Sequence, residues 1–380
     1  MTARILSPFL LVLIIGIGAV QFGPSHTRLN NPPPLATCDT ATIEAALDEL
    51  PAYTPTSDQP FVTLSNDGFS VDGQPLRLRG VNYYPAAYPW RRFLTETDPA
   101  TLDRELSMLA EAGFNSLRIF LWNEALFQCE GDGAVPEPAA FARLDSVFDA
   151  AAQHGFYVMP TLNDLPDLEA YPLYDNPPHI IAQTAFIVER YRDEPTIIAW
   201  DLRNEGDIDY DGFNAFDQGA FPQSDVIDWL AETSTAVRAL DDNHLITAGW
   251  RFNEQHTAPY VDFISFHHWR GADTLRSRLA RMGHDKPVLL QEFGFTTWDL
   301  SEDVHATAIR DVVRLVEYER PDVLGWMVWT AFDFPLTATC YPGDCISADN
   351  REHHFGLYYP DGTPKPAAKI LIEELETLAG

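Results

Sequence analysis

The sequence predicts a (β/α)8 barrel, a TIM barrel in a single catalytic domain. Three observations predict it: 380 residues with 46% hydrophobic content, eight short apolar runs rich in β-formers, and amphipathic helical stretches between them. A chain of this length can bury one large core, and a single barrel of this type takes about 250 residues or more. The strand-like runs are 77–84, 115–122, 156–162, 196–204, 244–248, 261–267, 287–293 and 323–330. The helical stretches are 99–112, 138–154, 179–193, 225–240, 273–282, 303–320 and 365–378, each with the apolar spacing of a helix packed on one face. A doubly wound open sheet is the alternative, but the first run has no G-x-G-x-x-G turn after it.

The barrel domain is expected over 61–380, preceded by two segments of different character. Arg4 and the apolar run Ile5 to Phe22 predict a signal peptide or membrane anchor over 1–24. The run falls between the length of a signal core and that of a spanning helix, so both stay open. Residues 25–60 hold Pro-rich stretches at 30–34 and 51–55 around a short helical pattern from Ala41 to Leu50, and predict a linker. Either form of leader places the rest of the chain outside the cytoplasm, secreted or anchored facing outward. The four cysteines fit that compartment. Cys340 and Cys345 flank the turn Tyr-Pro-Gly-Asp, which would leave Cys38 and Cys129 for a second bridge; four cysteines allow three pairings. No C-x2-C pair points to zinc, and no metal or cofactor is expected.

The net charge of −31 and a complement of only three lysines (Lys286, Lys365 and Lys369) disfavour nucleic acid and anionic lipid as partners. Twelve per cent aromatic content, with nine tryptophans, suits a carbohydrate partner, since an indole face stacks on sugar C–H surfaces; core packing is the competing use of any one tryptophan. The chain is expected to act as a monomer.

In such barrels the chemistry sits at the C-terminal ends of the strands. Here those ends carry Tyr84, Arg118, Trp122, Asn163, Asp164, Asn204, Glu205, Trp250, His267, His268, Trp269, Glu292 and Trp329, all of them polar or aromatic. Two carboxylates matter most, Glu205 after the fourth run and Glu292 in the seventh. Cleaving a glycosidic bond needs one carboxyl to protonate the leaving oxygen and a second to attack or assist at the anomeric carbon from the other side. Strand alternation would put Glu292 on the face of Leu290 and Val288, and Glu205 on the face of Arg203 and Asp201. Polar residues so deep in the fourth strand imply either a charge pair inside the barrel or a bulge that resets the alternation.

At this point the residues resemble the glycoside hydrolases of clan A, and within it family 5, over roughly residues 61 to 380. Phe-Ser-Val-Asp-Gly-Gln-Pro-Leu-Arg-Leu-Arg-Gly-Val-Asn (69–82) is similar to the family's opening hairpin and first strand, and Leu-Arg-Ile (117–119) to its second-strand arginine. Trp-Asp-Leu-Arg-Asn-Glu (200–205) resembles the W-x-L-x-N-E motif, the most specific of the set. Phe-His-His-Trp (266–269) is similar to the sixth-strand H-x-Y motif, and Lys-Pro-Val-Leu-Leu-Gln-Glu-Phe-Gly (286–294) to the nucleophile motif.

The resemblance implies a retaining hydrolase of β-linked polysaccharide, closest to endo-β-1,4-mannanases and endoglucanases, with an exo-acting glycosidase or an inactive sugar-binding barrel as alternatives. It makes Glu205 the general acid/base, Glu292 the nucleophile kept ionised by Arg118, Asn204 a ligand of the sugar 2-hydroxyl and Trp329 the floor of the cleaved-sugar subsite. His267, Trp269, Asn163, Tyr84 and Trp122 would bind or support. A retaining mechanism predicts carboxyls roughly 5–5.5 Å apart and a raised pKa for Glu205. Two positions depart from the pattern: Gly206 stands where proline often follows the acid/base, and Trp269 where a tyrosine is usual.

Overall fold

The computed structural model describes residues 38–129, 133–165, 168, 173–175, 177–211, 221–283, 285–341, 344–345 and 348–379. Eight strands form a closed barrel: β1 (Leu78–Asn82), β2 (Ser116–Phe120), β3 (Tyr157–Thr161), β4 (Ala199–Asn204), β5 (Leu245–Trp250), β6 (Ile264–His268), β7 (Val288–Phe293) and β8 (Val323–Val328). Each pairs in parallel with the next, and β8 closes on β1. Val, Ile, Leu and Phe at alternate positions suit strands whose outer face is covered by helices and whose inner face fills the barrel.

The helices begin where their caps stand. Asp98 accepts from the Thr101 amide at 2.9 Å ahead of Pro99–Glu111, and Ser301 caps Glu302–Arg314. Pro99 and Pro138 open their helices at positions where the missing N–H costs nothing. The apolar faces of these helices join the outward side chains of the strands in one large core.

A second, smaller core fills the bottom of the barrel: Leu78, Met159, Ile198, Leu289 and Met327, with Phe69 from a three-stranded meander (Thr63–Ser65, Gly68–Val71, Gln74–Leu76) and Val62 just before it. Phe69 meets Phe263 edge-on at 5.1 Å, so the meander caps the barrel at the end away from the expected chemistry. Its second turn is Asp72–Gly73, both at positive φ, as an Asp-Gly hairpin turn requires.

The signal or anchor expected over 1–24 lies outside the described residues; no described helix is long and apolar enough to cross a membrane. The linker expected over 25–60 is described only from Cys38, and there the chain is strapped to the barrel rather than standing off it. Thr40–Glu49 is helical, and Cys38 is disulfide-bonded to Cys129, 91 residues away, with Cα atoms 5.6 Å apart. Tyr53 Oη and Thr56 Oγ1 donate to the Glu194 carboxylate at 2.6 and 2.8 Å. Cys340 is also disulfide-bonded, and a two-residue ladder sets it opposite Cys345.

Two bulges change which way side chains point. Between β4 and β5, Asp201 faces Thr247 but Asn204 faces Gly249, so three steps on one strand match two on the other. Between β7 and β6, Leu290 faces Phe266 and Glu292 faces His267, two steps against one. The alternation expected from the sequence is therefore corrected on both strands. On β7, Leu289 and Gln291 point into the barrel while Val288 and Leu290 pack in the outer core, and the bulge then returns Glu292 to the inner face. On β4, Asp201 points inward, while Arg203 turns away to bond Asp209 and Tyr174.

Candidate active site

Glu205 follows β4 in the left-handed region, with φ 48° and ψ 39°. For a residue with a Cβ this conformation costs on the order of 1–2 kcal/mol, and it turns the chain sharply so that the carboxyl faces the cleft instead of continuing up the strand. The Glu205 amide donates to Gly249 O at 2.7 Å, tying the turn to β5. Gly206 accommodates the turn: a Cβ there would lie 3.0 Å from Arg203 Cγ and 3.1 Å from Trp250 Nε1, which gives the departure from proline a steric reason.

The strand ends bring Glu205 and Glu292 together. His267 Nδ1 lies 2.9 Å from Glu205 Oε1 and 3.7 Å from Glu292 Oε1, and one oxygen of each glutamate with that nitrogen forms a triad whose members all lie within 4.8 Å of one another. Both glutamates are more than nine-tenths buried. Of the adjacent histidines, only His267 faces the cleft; His268 turns to Thr274 Oγ1 at 3.1 Å, and burial together with the Arg278 charge lowers its pKa to about 4.

Arg118 organises the floor. It is fully buried, and its Nη1 donates to Glu292 Oε2 at 2.7 Å and to Asn82 Oδ1 at 3.0 Å. Its Nε and Nη2 grip Asp201 Oδ2 at 2.9 and 2.7 Å, and Nη2 also reaches Asn204 Oδ1 at 2.8 Å. Asp201 is saturated in turn, accepting from Thr161 Oγ1 and the Gly249 amide. Both sequence alternatives for β4 are thus realised, a charge pair inside the barrel and a bulge above it.

On the other side of the cleft the contacts are looser. Arg251 Nη1 stands 3.4 Å from Glu205 Oε2, and its guanidinium lies over Trp269 at 5.7 Å from the ring centre. Asp207, buried beneath, accepts from the backbone amides of Arg251, Phe252 and Asn253 at 3.1, 2.6 and 2.7 Å and so fixes the loop that presents Arg251. Trp269 Nε1 points to Glu205 Oε1 at 3.4 Å, so this residue serves the acid/base candidate and not Glu292. The ring of Phe355 packs edge-on against Trp269 at 5.6 Å, bringing the loop after β8 over the cleft, and Glu352 of that loop carries a half-buried carboxyl.

The electrostatics reverse one expectation. Burial alone would raise the pKa of Glu205, but Arg251, the His267 bond and charge, and Trp269 together hold it down to about 2. Glu292 is pushed up by burial despite His267 and Arg118, because the Arg118 charge is already shared with Asp201; the Glu205 charge adds to the rise. In the free site the surroundings therefore favour ionisation of Glu205 over that of Glu292. His267 is lowered by burial but raised on balance by the two glutamates. With Nε2 donating to Gln291 Oε1 at 3.1 Å, its Nδ1 carries a proton toward Glu205 when the ring is imidazolium. Glu352 is pushed up to about 7 by burial and by the charges of Glu292 and Glu205.

The remaining predicted residues divide. Trp329, half-buried, meets Phe120 edge-on at 5.7 Å at the end of β8, and Trp122 is half-buried at the end of β2. Tyr84 is fully buried, accepting from Trp122 Nε1 at 2.9 Å and donating to Asp164 Oδ2 at 3.1 Å, so it supports the wall instead of lining it. Asn163 is buried with its amide donating to Leu202 O at 3.0 Å. Sequence reasoning placed Asn82 and Asp164 at strand ends without a role, read Asp201 as part of a charge pair or a bulge, and passed over Arg251, Asp207 and Glu352. Arg251 directly follows Trp250 at the end of β5 and could have been found by reading one residue further; nothing in the sequence singles out Glu352.

Comparison with known proteins agrees with this geometry. Residues 70–332 match the model of the cellulase family, glycosyl hydrolase family 5. A probable mannan endo-1,4-beta-mannosidase F of Neosartorya fischeri is 26% identical over 311 residues, covering 63% of this chain and 62% of that protein. A mannan endo-1,4-beta-mannosidase F of Aspergillus fumigatus is 30% identical over 226 residues, covering 51% of this chain and 48% of that protein. The chain thus spans 62% and 48% of the length of these two relatives. The GH5_18 protein of Streptomyces cattleya, solved in complex with Manβ1-4GlcNAc, shares the fold with a TM-score of 0.65 and 19% identity over 80% of this chain and 81% of that one. With more than half of its length matched by the family model, and the two glutamates facing each other across the top of the barrel, the chain belongs to glycosyl hydrolase family 5.

Proposed function

We propose that this chain is a retaining O-glycoside hydrolase that cleaves β-mannosyl linkages, with Glu292 as nucleophile and Glu205 as general acid/base. The observation that carries the reading is the approach of the two carboxylates to within 4.8 Å at the ends of β4 and β7. Retaining enzymes hold their carboxyls roughly 5–5.5 Å apart, whereas inverting enzymes leave about 6.5–9.5 Å for a water.

In the reaction Glu292 attacks the anomeric carbon while Glu205 protonates the departing oxygen. Glu205 then takes a proton from water, which releases the glycosyl-enzyme with the anomeric configuration retained. The working form needs its proton on Glu205, against the direction in which Arg251, His267 and Trp269 shift that group. A bound substrate opposes this shift: the leaving oxygen accepts a hydrogen bond only from protonated Glu205, which favours that form. Glu292 meanwhile keeps Arg118 as its fixed cation.

The names of the fungal relatives support mannan as the substrate. Exo action is the second reading, favoured by the loop after β8, where Phe355 packs on Trp269 and the carboxyl of Glu352 feels the charges of the two glutamates. Incubation of the protein and of Glu205→Gln with mannan, glucan and xylan, followed by product sizing, tests both. Mixed manno-oligosaccharides from the wild type indicate endo action and released mannose alone exo action; turnover of glucan or xylan without mannan rejects the mannosyl assignment. We also place the enzyme outside the cytoplasm, a reading supported by the Cys38–Cys129 disulfide.

A further inference from the structure

We propose that Asp164 reads the substrate: together with Asn204 it grips the 2-hydroxyl of the sugar whose bond is cleaved, and so separates manno- from gluco-configured substrates. The inference rests on the glycosidase reading above and gives that site its stereochemical selectivity.

Asp164 sits just beyond β3, beside a small recess that it lines with Trp122 and Asn123. Its Oδ2 accepts from Tyr84 Oη at 3.1 Å and its Oδ1 from Asn204 Nδ2 at 2.9 Å. Both donors are uncharged, and no ion pair to Asp164 occurs among the described residues. A carboxylate has about four acceptor positions, so about two stay open on a side chain that is only half-buried. Burial pushes its pKa up to about 6, a sign that its protein partners do not fully replace water.

Three links connect this carboxylate to the reacting carbon. Glu292 Oε2 takes Arg118 Nη1 at 2.7 Å, Arg118 Nη2 reaches Asn204 Oδ1 at 2.8 Å, and Asn204 Nδ2 reaches Asp164 Oδ1 at 2.9 Å. A sugar with its C1 at Glu292 carries its nearest hydroxyl on C2. Asn204 Nδ2 has a second proton to give, and Asp164 an open lone pair beside it. A hydroxyl both accepts and donates, so this adjacent donor and acceptor match one hydroxyl. That hydroxyl is axial in mannose and equatorial in glucose, and a fixed donor–acceptor pair suits one orientation over the other.

The test is a cycle between protein and substrate. kcat/KM is measured for the wild type and Asp164→Asn on an aryl β-glycoside that the wild type hydrolyses, and on its 2-deoxy and 3-deoxy counterparts. Losing a hydrogen bond to a charged partner should cost the wild type about 10–100-fold on the 2-deoxy substrate. In Asp164→Asn that penalty should shrink below about threefold, with the 3-deoxy penalty unchanged. Penalties that multiply, or a coupling that appears only with the 3-deoxy substrate, overturn the assignment. Asp164→Ser, which keeps a hydroxyl for Tyr84 and Asn204, reads the same coupling if the first variant folds poorly. A wild type inert on every glycoside would overturn the glycosidase reading itself, which an active wild type with multiplying penalties would not.

Discussion

The two sides of the cleft hold their glutamates in different ways. Around Glu292 every partner is buried and fully subscribed: Arg118 gives five hydrogen bonds or ion pairs, and Asp201 and Asn82 are bonded on to neighbouring strands. Around the Glu205 carboxylate stand Arg251 and Trp269, each at 3.4 Å and only half-buried, with His267 closer at 2.9 Å. Under the proposed roles, the contrast teaches that geometry is invested on the attacking side, where a covalent bond must form in a fixed direction, and adjustability on the side where a proton must come and go. Burial on the rigid side raises the Glu292 pKa despite its cation, while Arg251, His267 and Trp269 hold that of Glu205 down.

Breaking the rigid side should have the largest effect. Arg118→Met leaves Asp201 and Glu292 buried without their cation; it should cost about 3–5 kcal/mol of stability by denaturant unfolding and lower kcat by about 10^3. Arg251→Gln probes the adjustable side. Removing a cation raises a carboxyl pKa, so the acid limb of the kcat/KM profile, which reports the free enzyme, should move up by about one unit with little change in unfolding midpoint. A loss of stability as large as that of Arg118→Met would erase the distinction between the two sides.

Glu352→Gln sharpens the comparison further. Burial and the charges of Glu292 and Glu205 push the Glu352 carboxyl up to about 7, and such repulsion is mutual, so the substitution should change the kcat/KM profile above about pH 7, where the Glu352 charge appears, and leave it unchanged below; an unchanged profile throughout would place Glu352 outside the electrostatic reach of the site. The smallest effect on turnover is expected from replacing Cys38 and Cys129 together with serine. Opening a link across 91 residues should cost about 2–5 kcal/mol by unfolding while kcat stays within about twofold.

Much of the fold was legible because each strand and helix carries its own periodicity: seven helical stretches were placed within a few residues of their observed bounds, and all eight strands were found. The two glutamates were legible for the same reason, as polar residues at the ends of apolar runs. Side-chain direction was not. Alternation assigned Leu290 and Val288 to the inner face, and only the bulge between Leu290 and Glu292 shows why Glu292 still reaches the cleft. A bulge depends on the register between two strands, which no single strand encodes. Protonation was hidden too, since the pKa of Glu205 depends on Arg251, which lies 46 residues away on another strand's loop. The segment from Cys38 to Thr56 looked like a tether because its prolines are local, whereas its attachments to Cys129 and Glu194 are distant.

The division of labour between the two glutamates is tested most directly by the anomeric form of azide products. Glu205→Ala and Glu292→Ala are each incubated with an activated aryl β-glycoside and azide, and the products are read by NMR. The account predicts a β-glycosyl azide from Glu205→Ala, where the glycosyl-enzyme still forms and azide replaces water, and an α-glycosyl azide from Glu292→Ala, where azide takes the nucleophile's place. The reverse pattern, or no glycosyl azide from Glu292→Ala, would contradict it.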